Sequence, residues 1–445
     1  MSSTILHAAS PLADAVAELL REARARTLLL IAPLSDDELR AQHDPLLSPL
    51  VWDMGHIAGF EELWLTRNLD GPIEFVEMPG LYNPFEHPRR ERGALVLPGR
   101  AEVIAHLAAV RAKVLERLAT TDFDSGSPLL RDGYVYRMVA QHEAQHNETM
   151  LQTMQLMQGR GYRPAERRDP PVARDQALAL AGVRGAMVRV PGGTYAIGTH
   201  DRSAAYDNER PRHAVTLAPY RIDITPVTNG QYLRFIADGG YSRPELWSEA
   251  GRAWLAESRV DAPMYWELTE GVWSTRMMDR RGPVDPAHPV SHVTYYEADA
   301  FARWAGKRLP TEAEWEVAAT WDPATGAPRA YPWGEDAPTE RIGNIDQLTF
   351  GTTPVGTYPR NVSPFGCYGM IGDVWEWTSS DFGPYPGYET FPYAEYSEVF
   401  FGSEYKVLRG GSWATRAGVA RTTFRNWDYP IRRQIFSGFR CAADV

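Results

Sequence analysis

Along the first 160 or so positions, apolar residues recur every three or four places, the spacing of helices that bury one face. "PLADAVAELLREARARTLLLIAPL" is one such run, and "PLSDDEL" supplies a Ser/Asp start for the helix after it. "SPLVWDMGHIAGFEELWLTRNL" is a second run, "GRAEVIAHLAAVRAKVLERLATT" a third and "GYVYRMVAQHEAQHNETMLQTMQLMQGRGY" a fourth, closed by Gly159 and Gly161. Four long amphipathic runs predict a helix bundle, an architecture whose metal sites are built from inward-facing side chains. A non-helical loop, "GPIEFVEMPGLYNPFEHPRRERGALVLPG", separates the second run from the third. The pattern changes after "PAERRDPPVARDQALALAGVRGA", which reads as a linker. Beyond it come short strands, Gly/Pro turns and tryptophans, as in "MVRVPGGTYAIGTH", "GMIGDVWEWTSS" and "YKVLRGGSW". The expected organisation is a four-helix bundle over 1–163, a linker over 164–185 and an α+β domain over 186–445.

Composition narrows the class. The 445 residues are 44% hydrophobic and 23% charged, as in a globular protein with a large core. Forty-six basic against 57 acidic residues leave a net charge of −11, which argues against nucleic acid or an anionic membrane as the main partner. Cysteine occurs only at Cys367 and Cys441, so no disulfide framework is expected. No apolar run of 18 residues and no basic-then-apolar leader is visible. The expectation is a cytoplasmic protein.

The chemistry concentrates in "VAQHEAQHNETML". His142 and His146 stand four residues apart, on one helical face. The spelling H-E-x-x-H is that of zinc proteases, with Glu143 as the general base. The metzincin extension fails, because position 149 is Thr and position 152 is Gln. A third ligand is available in "PLVWDMGHIAGFEELW", where His56 sits among apolar residues of another bundle helix. Three neutral imidazoles hold a divalent ion and leave positions open for substrates. Zinc, iron and copper all fit such a donor set.

The C-terminal part resembles the formylglycine-generating-enzyme/sulfatase-modifying domain, a C-type-lectin-like α+β fold. The resemblance is carried by Leu309-Pro310-Thr311-Glu312 through Trp315-Glu316, by Tyr331-Pro332-Trp333-Gly334 and by Gly372-Asp373-Val374-Trp375-Glu376-Trp377. Leu408-Arg409-Gly410-Gly411-Ser412-Trp413 and Gly438-Phe439-Arg440 complete it. The N-terminal part resembles a DinB-like four-helix bundle. Together the two resemble the non-haem iron sulfoxide synthases of ergothioneine biosynthesis. The formylglycine-generating enzymes hold copper with cysteines shortly after the motif "LRGGSW"; this chain has "ATRAGVARTTF" there and no cysteine.

The resemblance implies Fe(II) on His56, His142 and His146, with O₂ as co-substrate and Glu143 turned away from the ion. It implies two small-molecule substrates, hercynine (Nα-trimethylhistidine) and γ-glutamylcysteine. Arg89 and Arg92 of "HPRRERGAL" would hold γ-glutamylcysteine carboxylates, with Arg90 pointing elsewhere, since guanidinium forks match carboxylates. Asp428 of "FRNWDYP" would take its ammonium, while Gln145, Asn426 and Trp427 would contact hercynine, whose quaternary ammonium suits an aromatic face. A tyrosine of "ETFPYAEYSEVFF" would supply a proton as O₂ is reduced. Tyr393 is the best match, Tyr396 the alternative, and Tyr385 and Tyr388 lesser ones. Cysteine or glutathione as sulfur donor remains open beside γ-glutamylcysteine.

Overall fold

The computed structural model describes residues 10–69, 80–157, 159–170 and 185–445. Part of the loop between the second and third helical runs, 70–79, and most of the expected linker, 171–184, lie outside the described residues. The chain divides into two compact units, one formed by the residues through Met157 together with Asp201–Tyr206, the other by the remainder.

The first unit is a helix bundle. Helix α1 spans Pro11–Ile31 behind a Ser10 cap, and α2, Asp36–Arg40, opens on a capping box between Ser35 and Glu38. Helix α3 covers Leu50–Glu62 and runs into a wider π turn over Leu63–Arg67, so the second helical run is continuous but changes pitch near its end. Helices α4, Arg100–Leu118, and α5, Tyr134–Leu156, complete the bundle. Helix α5 ends at Leu156, a few residues before the glycines that predicted its stop. All of α3 except Gly59 and Glu62 is buried, including its charged residues Asp53 and Glu61.

Charge does much to hold this bundle together. Arg24 on α1, Glu61 on α3, Arg111 on α4 and Glu143 on α5 meet in the interior, each side chain at most 8% exposed. Arg24 Nε donates to Glu143 Oε1 at 2.8 Å and its Nη2 to Glu61 Oε2 at 2.7 Å. Arg111 Nη2 donates to Glu61 Oε2 at 3.0 Å and to Glu143 Oε2 at 3.1 Å. Thr27 adds a hydroxyl to Glu143 Oε1 at 2.7 Å. Two cations and two anions cancel, which is the condition for burying charge at tolerable cost. Burial pushes the Glu143 carboxyl upward, but Arg24 and Arg111 outweigh it and hold the group below its ordinary range.

The second unit is mixed α+β. A four-stranded sheet runs in the order Asn426–Asp428, Gly402–Arg409, Trp375–Phe382, Ser437–Gly438. A three-stranded sheet pairs Met187–Val190 and Ala442–Asp444 on either side of Tyr220–Asp223, so the two ends of the unit close on each other. Most of the residues behind the family resemblance are buried in its interior. Arg409 pairs with Glu316 and Glu312, while Arg440 and the Trp315 indole N–H share the Glu376 carboxylate. Cys367 and Cys441 are buried free thiols, and burial raises both, Cys367 to about 11. They behave as small apolar fillers.

Glu143→Gln leaves Arg24 and Arg111 short of one buried counter-charge. It is expected to lower the stability of the helical unit by about 3–5 kcal/mol, read as a shift of the bundle's transition in urea followed by far-UV circular dichroism.

Candidate metal centre

The donor atoms of His56, His142 and His146 lie within 4.8 Å of one another. Their ring centroids are 5.1 Å (56–142), 4.8 Å (56–146) and 4.5 Å (142–146) apart. A group of this span could hold one metal ion. Burial, followed by the neighbouring imidazole of His146, pushes His56 and His142 well below the ordinary histidine value. Both rings are therefore neutral at neutral pH and present lone pairs, which fits them to a divalent ion.

Each ring has its own support. His56 Nδ1 lies 3.0 Å from the Tyr82 carbonyl, which only accepts, so Nδ1 carries the proton and Nε2 the lone pair. The approach of that loop depends on Gly55, where a Cβ would stand 2.1 Å from the Tyr82 ring. Trp52 stacks on His56 at 5.1 Å and 11°, with its indole N–H on the Leu81 carbonyl at 2.8 Å. Phe60 stacks on His142 at 3.7 Å and 11°. Trp52, His56 and Phe60 follow one another at four-residue spacing and so line one stripe of α3. His146 faces Asp53, which stands one turn before His56.

Glu143 faces the ion-pair cluster, both of its oxygens engaged by Arg24, Arg111 and Thr27. A general base needs a carboxylate available to metal-bound water, so the zinc-hydrolase alternative loses its base despite the H-E-x-x-H spelling.

Around the centre, Arg92 is 5% exposed and its guanidinium carbon lies 3.5 Å above the Trp52 ring. Its Nε and Nη1 donate to the His87 carbonyl at 2.8 Å and Ser48 Oγ at 2.6 Å. That leaves Nη2 for a ligand, less than the full fork expected from sequence. Burial lowers Arg92 to about 10, still cationic at neutral pH. Arg89 is exposed, and its charge also depresses His56. Arg90 pairs on the surface with Glu91 at 3.4 Å. Gln145 donates its amide to the Tyr206 hydroxyl at 2.7 Å, while Gln141 donates to the Ala204 carbonyl at 2.9 Å. These two bonds tie the Asp201–Tyr206 segment to α5.

In the second unit, Asn426, Trp427 and Asp428 form an edge strand, with Trp427 opposite Val407. Trp427 lies flat on Phe382 at 4.1 Å and 6°, with the Tyr396 ring edge-on at 5.6 Å. Asn426 Oδ1 accepts the Trp427 N–H at 3.0 Å. Asp428 accepts the Tyr429 N–H at 2.8 Å and has Arg432 Nε at 3.6 Å, so its carboxylate is already balanced by one cation. Tyr393 is largely buried, its ring 6.3 Å from that of Tyr396. The loop carrying both is pinned by Asp207, which accepts from Tyr388 Oη at 2.8 Å, Phe391 N at 3.2 Å and Ser397 Oγ at 2.5 Å. Tyr388 is thus committed to Asp207, and Tyr385 is buried beneath the Arg425 guanidinium at 4.1 Å. Tyr393 and Tyr396 remain as the two tyrosines of that loop.

The structure therefore gathers the three histidines with Arg92 in one unit, and Tyr396 with Trp427 in the other. Sequence reasoning missed Asp53, Trp52, Phe60, Tyr82 and Tyr206. The first three were within reach, since all stand three or four residues from His56 on the same helix; the Tyr82 and Tyr206 contacts are long-range.

Residues 179–445 match the Sulfatase-modifying factor enzyme 1-like domain, and residues 19–150 match the DinB superfamily. Fold and site thus define a two-domain enzyme in which a DinB-type bundle with a three-histidine centre precedes a sulfatase-modifying-factor domain. The hercynine oxygenase of Mycolicibacterium thermoresistibile is 45% identical over 97% of this chain and 95% of its own length. That of Mycobacterium tuberculosis is 45% identical over 96% and 98%. The formylglycine-generating enzyme of Streptomyces coelicolor is 33% identical but covers only 58% of this chain. The chain belongs to the hercynine oxygenase family.

Gly55→Ala is expected to displace the Tyr82 loop and remove the acceptor of His56 Nδ1. The overpacking should cost about 1–3 kcal/mol in urea unfolding, and Co(II) titration should show weaker binding at the histidines.

Proposed function

We propose that this chain is an O₂-dependent non-haem Fe(II) sulfoxide synthase of the cytoplasm, joining the sulfur of γ-glutamylcysteine to the imidazole C2 of hercynine. One thiol S–H and one imidazole C–H are exchanged for a C–S bond and an S=O, with O₂ as the four-electron oxidant and water as co-product. The observation that carries the reading is the near full-length similarity to hercynine oxygenases, joined to three imidazoles gathered on one spot. No helix among the described residues is long and apolar enough to cross a membrane.

Fe(II) on His56, His142 and His146 would supply O₂ activation and a position for the thiolate. The remaining roles fall to the chain. Arg89 and the free Nη2 of Arg92 take carboxylates of the thiol substrate, and Asp428 its ammonium. Gln145, Asn426 and Trp427 orient hercynine, with Trp427 offering a π face to the trimethylammonium. The Tyr393 hydroxyl gives up a proton as oxygen is reduced.

The test is anaerobic loading with Fe(II), then exposure to air with hercynine and either γ-glutamylcysteine, cysteine or glutathione, with products identified by mass spectrometry. A C–S-bonded sulfoxide from γ-glutamylcysteine is expected; oxygen consumption without such a product overturns the reading, and a preference for another thiol reassigns the donor. Tyr393→Phe is expected to cut sulfoxide formation by about 10²-fold or more and to divert turnover toward thiol oxidation. Arg89→Gln should raise KM for the thiol by about 10–100-fold, the value of a lost charged hydrogen bond, and leave KM for hercynine near wild type.

A further inference from the structure

Asp53 is 1% exposed, and its carboxylate faces a ligand on another helix: His146 Nδ1 lies 3.4 Å from Asp53 Oδ1. Asp53 Oδ2 and His146 Nδ1 are both buried without a hydrogen-bond partner. A buried carboxylate with no donor is costly, and each one in a folded protein asks for a reason. Arg92 is a nearby cation, but its Nε and Nη1 are committed to His87 and Ser48. What Asp53 lacks is an N–H, and what His146 Nδ1 lacks is an acceptor.

A ligating imidazole binds the ion through one nitrogen and carries its proton on the other. At His56 that proton lies on Nδ1 and points to the Tyr82 carbonyl. We propose that Asp53 is a positioning residue of the metal centre: its carboxylate accepts the His146 Nδ1–H, fixes that tautomer and ring angle, and leaves Nε2 to the ion. Asp53 and His56 stand three residues apart, so one face of α3 supplies a ligand and also orients a ligand from α5. The negative charge also offsets the ion's, which raises the donor strength of the ring. The inference rests on the three-histidine centre but not on iron, oxygen or either substrate.

Co(II) is the probe, titrated into apo full-length protein and followed by its visible absorption. His146→Ala should abolish binding in the measured range. Asp53→Ala should raise the Co(II) dissociation constant about 10–100-fold, with Asp53→Asn in between. The apo melting temperature of both Asp53 variants should match or exceed wild type, since an orphaned buried carboxylate has been removed. In proton NMR of the Co(II) protein, the hyperfine-shifted Nδ1–H of His146 should exchange slowly in wild type and fast in Asp53→Ala. The proposal is overturned if both Asp53 variants bind Co(II) within about twofold of wild type while His146→Ala does not bind. It is equally overturned if both lower the apo melting temperature, which would mark Asp53 as a fold residue. Undiminished binding by His146→Ala would instead sink the three-histidine centre itself.

Discussion

The neutral cluster of Arg24, Glu61, Arg111 and Glu143 is the constraint on which the helical unit turns. A buried charge has almost no freedom of place, because any rotation that separates it from its partner leaves it uncompensated. One residue from each of four helices is so held, and each helix is thereby fixed in rotation about its own axis. On α5, His142 and His146 lie roughly 60–100° round from Glu143 at about 100° per residue. On α3, His56 lies about 140° from Glu61 by the same geometry. Pinning the carboxylates on one side presents the imidazoles on another. The cluster touches no ligand, yet it orients the faces from which all three imidazoles come.

That division explains why H-E-x-x-H misleads. The spelling specifies that two histidines share a helical face; it does not specify what Glu143 meets. In a zinc hydrolase the intervening carboxylate must stay available to water. Here two arginines from α1 and α4 occupy it, and the long-range partners that decide the matter are 119 and 32 residues away along the chain. The same limit ran through the rest of the sequence. Helices, the histidine pair and His56 were legible because they rest on local periodicity. Four helical runs were visible, but the π turn after Glu62 was not, since its residues share the periodicity of a continuing helix. The tryptophan and glycine motifs of the second unit were legible as resemblance, whereas their physical work became visible only as the Arg409–Glu316 and Arg440–Glu376 pairs. Among the tyrosines, only packing showed that Tyr385 and Tyr388 have structural engagements.

The supports of the three rings differ in kind. His56 has a neutral carbonyl, His142 an aromatic face and His146 a charged carboxylate. A carbonyl fixes a tautomer without adding charge, and a stacked ring fixes a plane without fixing a tautomer. A carboxylate does the first and strengthens the donor as well. The three rings are therefore held unequally, and an ion placed on them, as in the proposed function, would meet three unequal donors.

Charge around the centre runs against that of the whole chain, whose formal net value is −11. In the proposed function the neutral rings of His56 and His142 would add no charge to a dication, and Asp53 stands beside them as a carboxylate. Arg92 is held over Trp52, which is itself stacked on His56, and Arg89 stands near enough to depress the same histidine. With a dication on the histidines, as in the proposed function, the balance would be positive beside a wall of Trp52 and Phe60, where fields are screened less than in water. An anionic thiol with two carboxylates would be drawn into such a site out of proportion to what the net charge suggests. In the proposed function, Arg92 thus has two consequences from one position. It offers its Nη2 to a carboxylate, and its charge adds in a small way to the burial and the His146 ring that lower His56, so the cation that would attract the substrate works with the lone pair that would hold the ion.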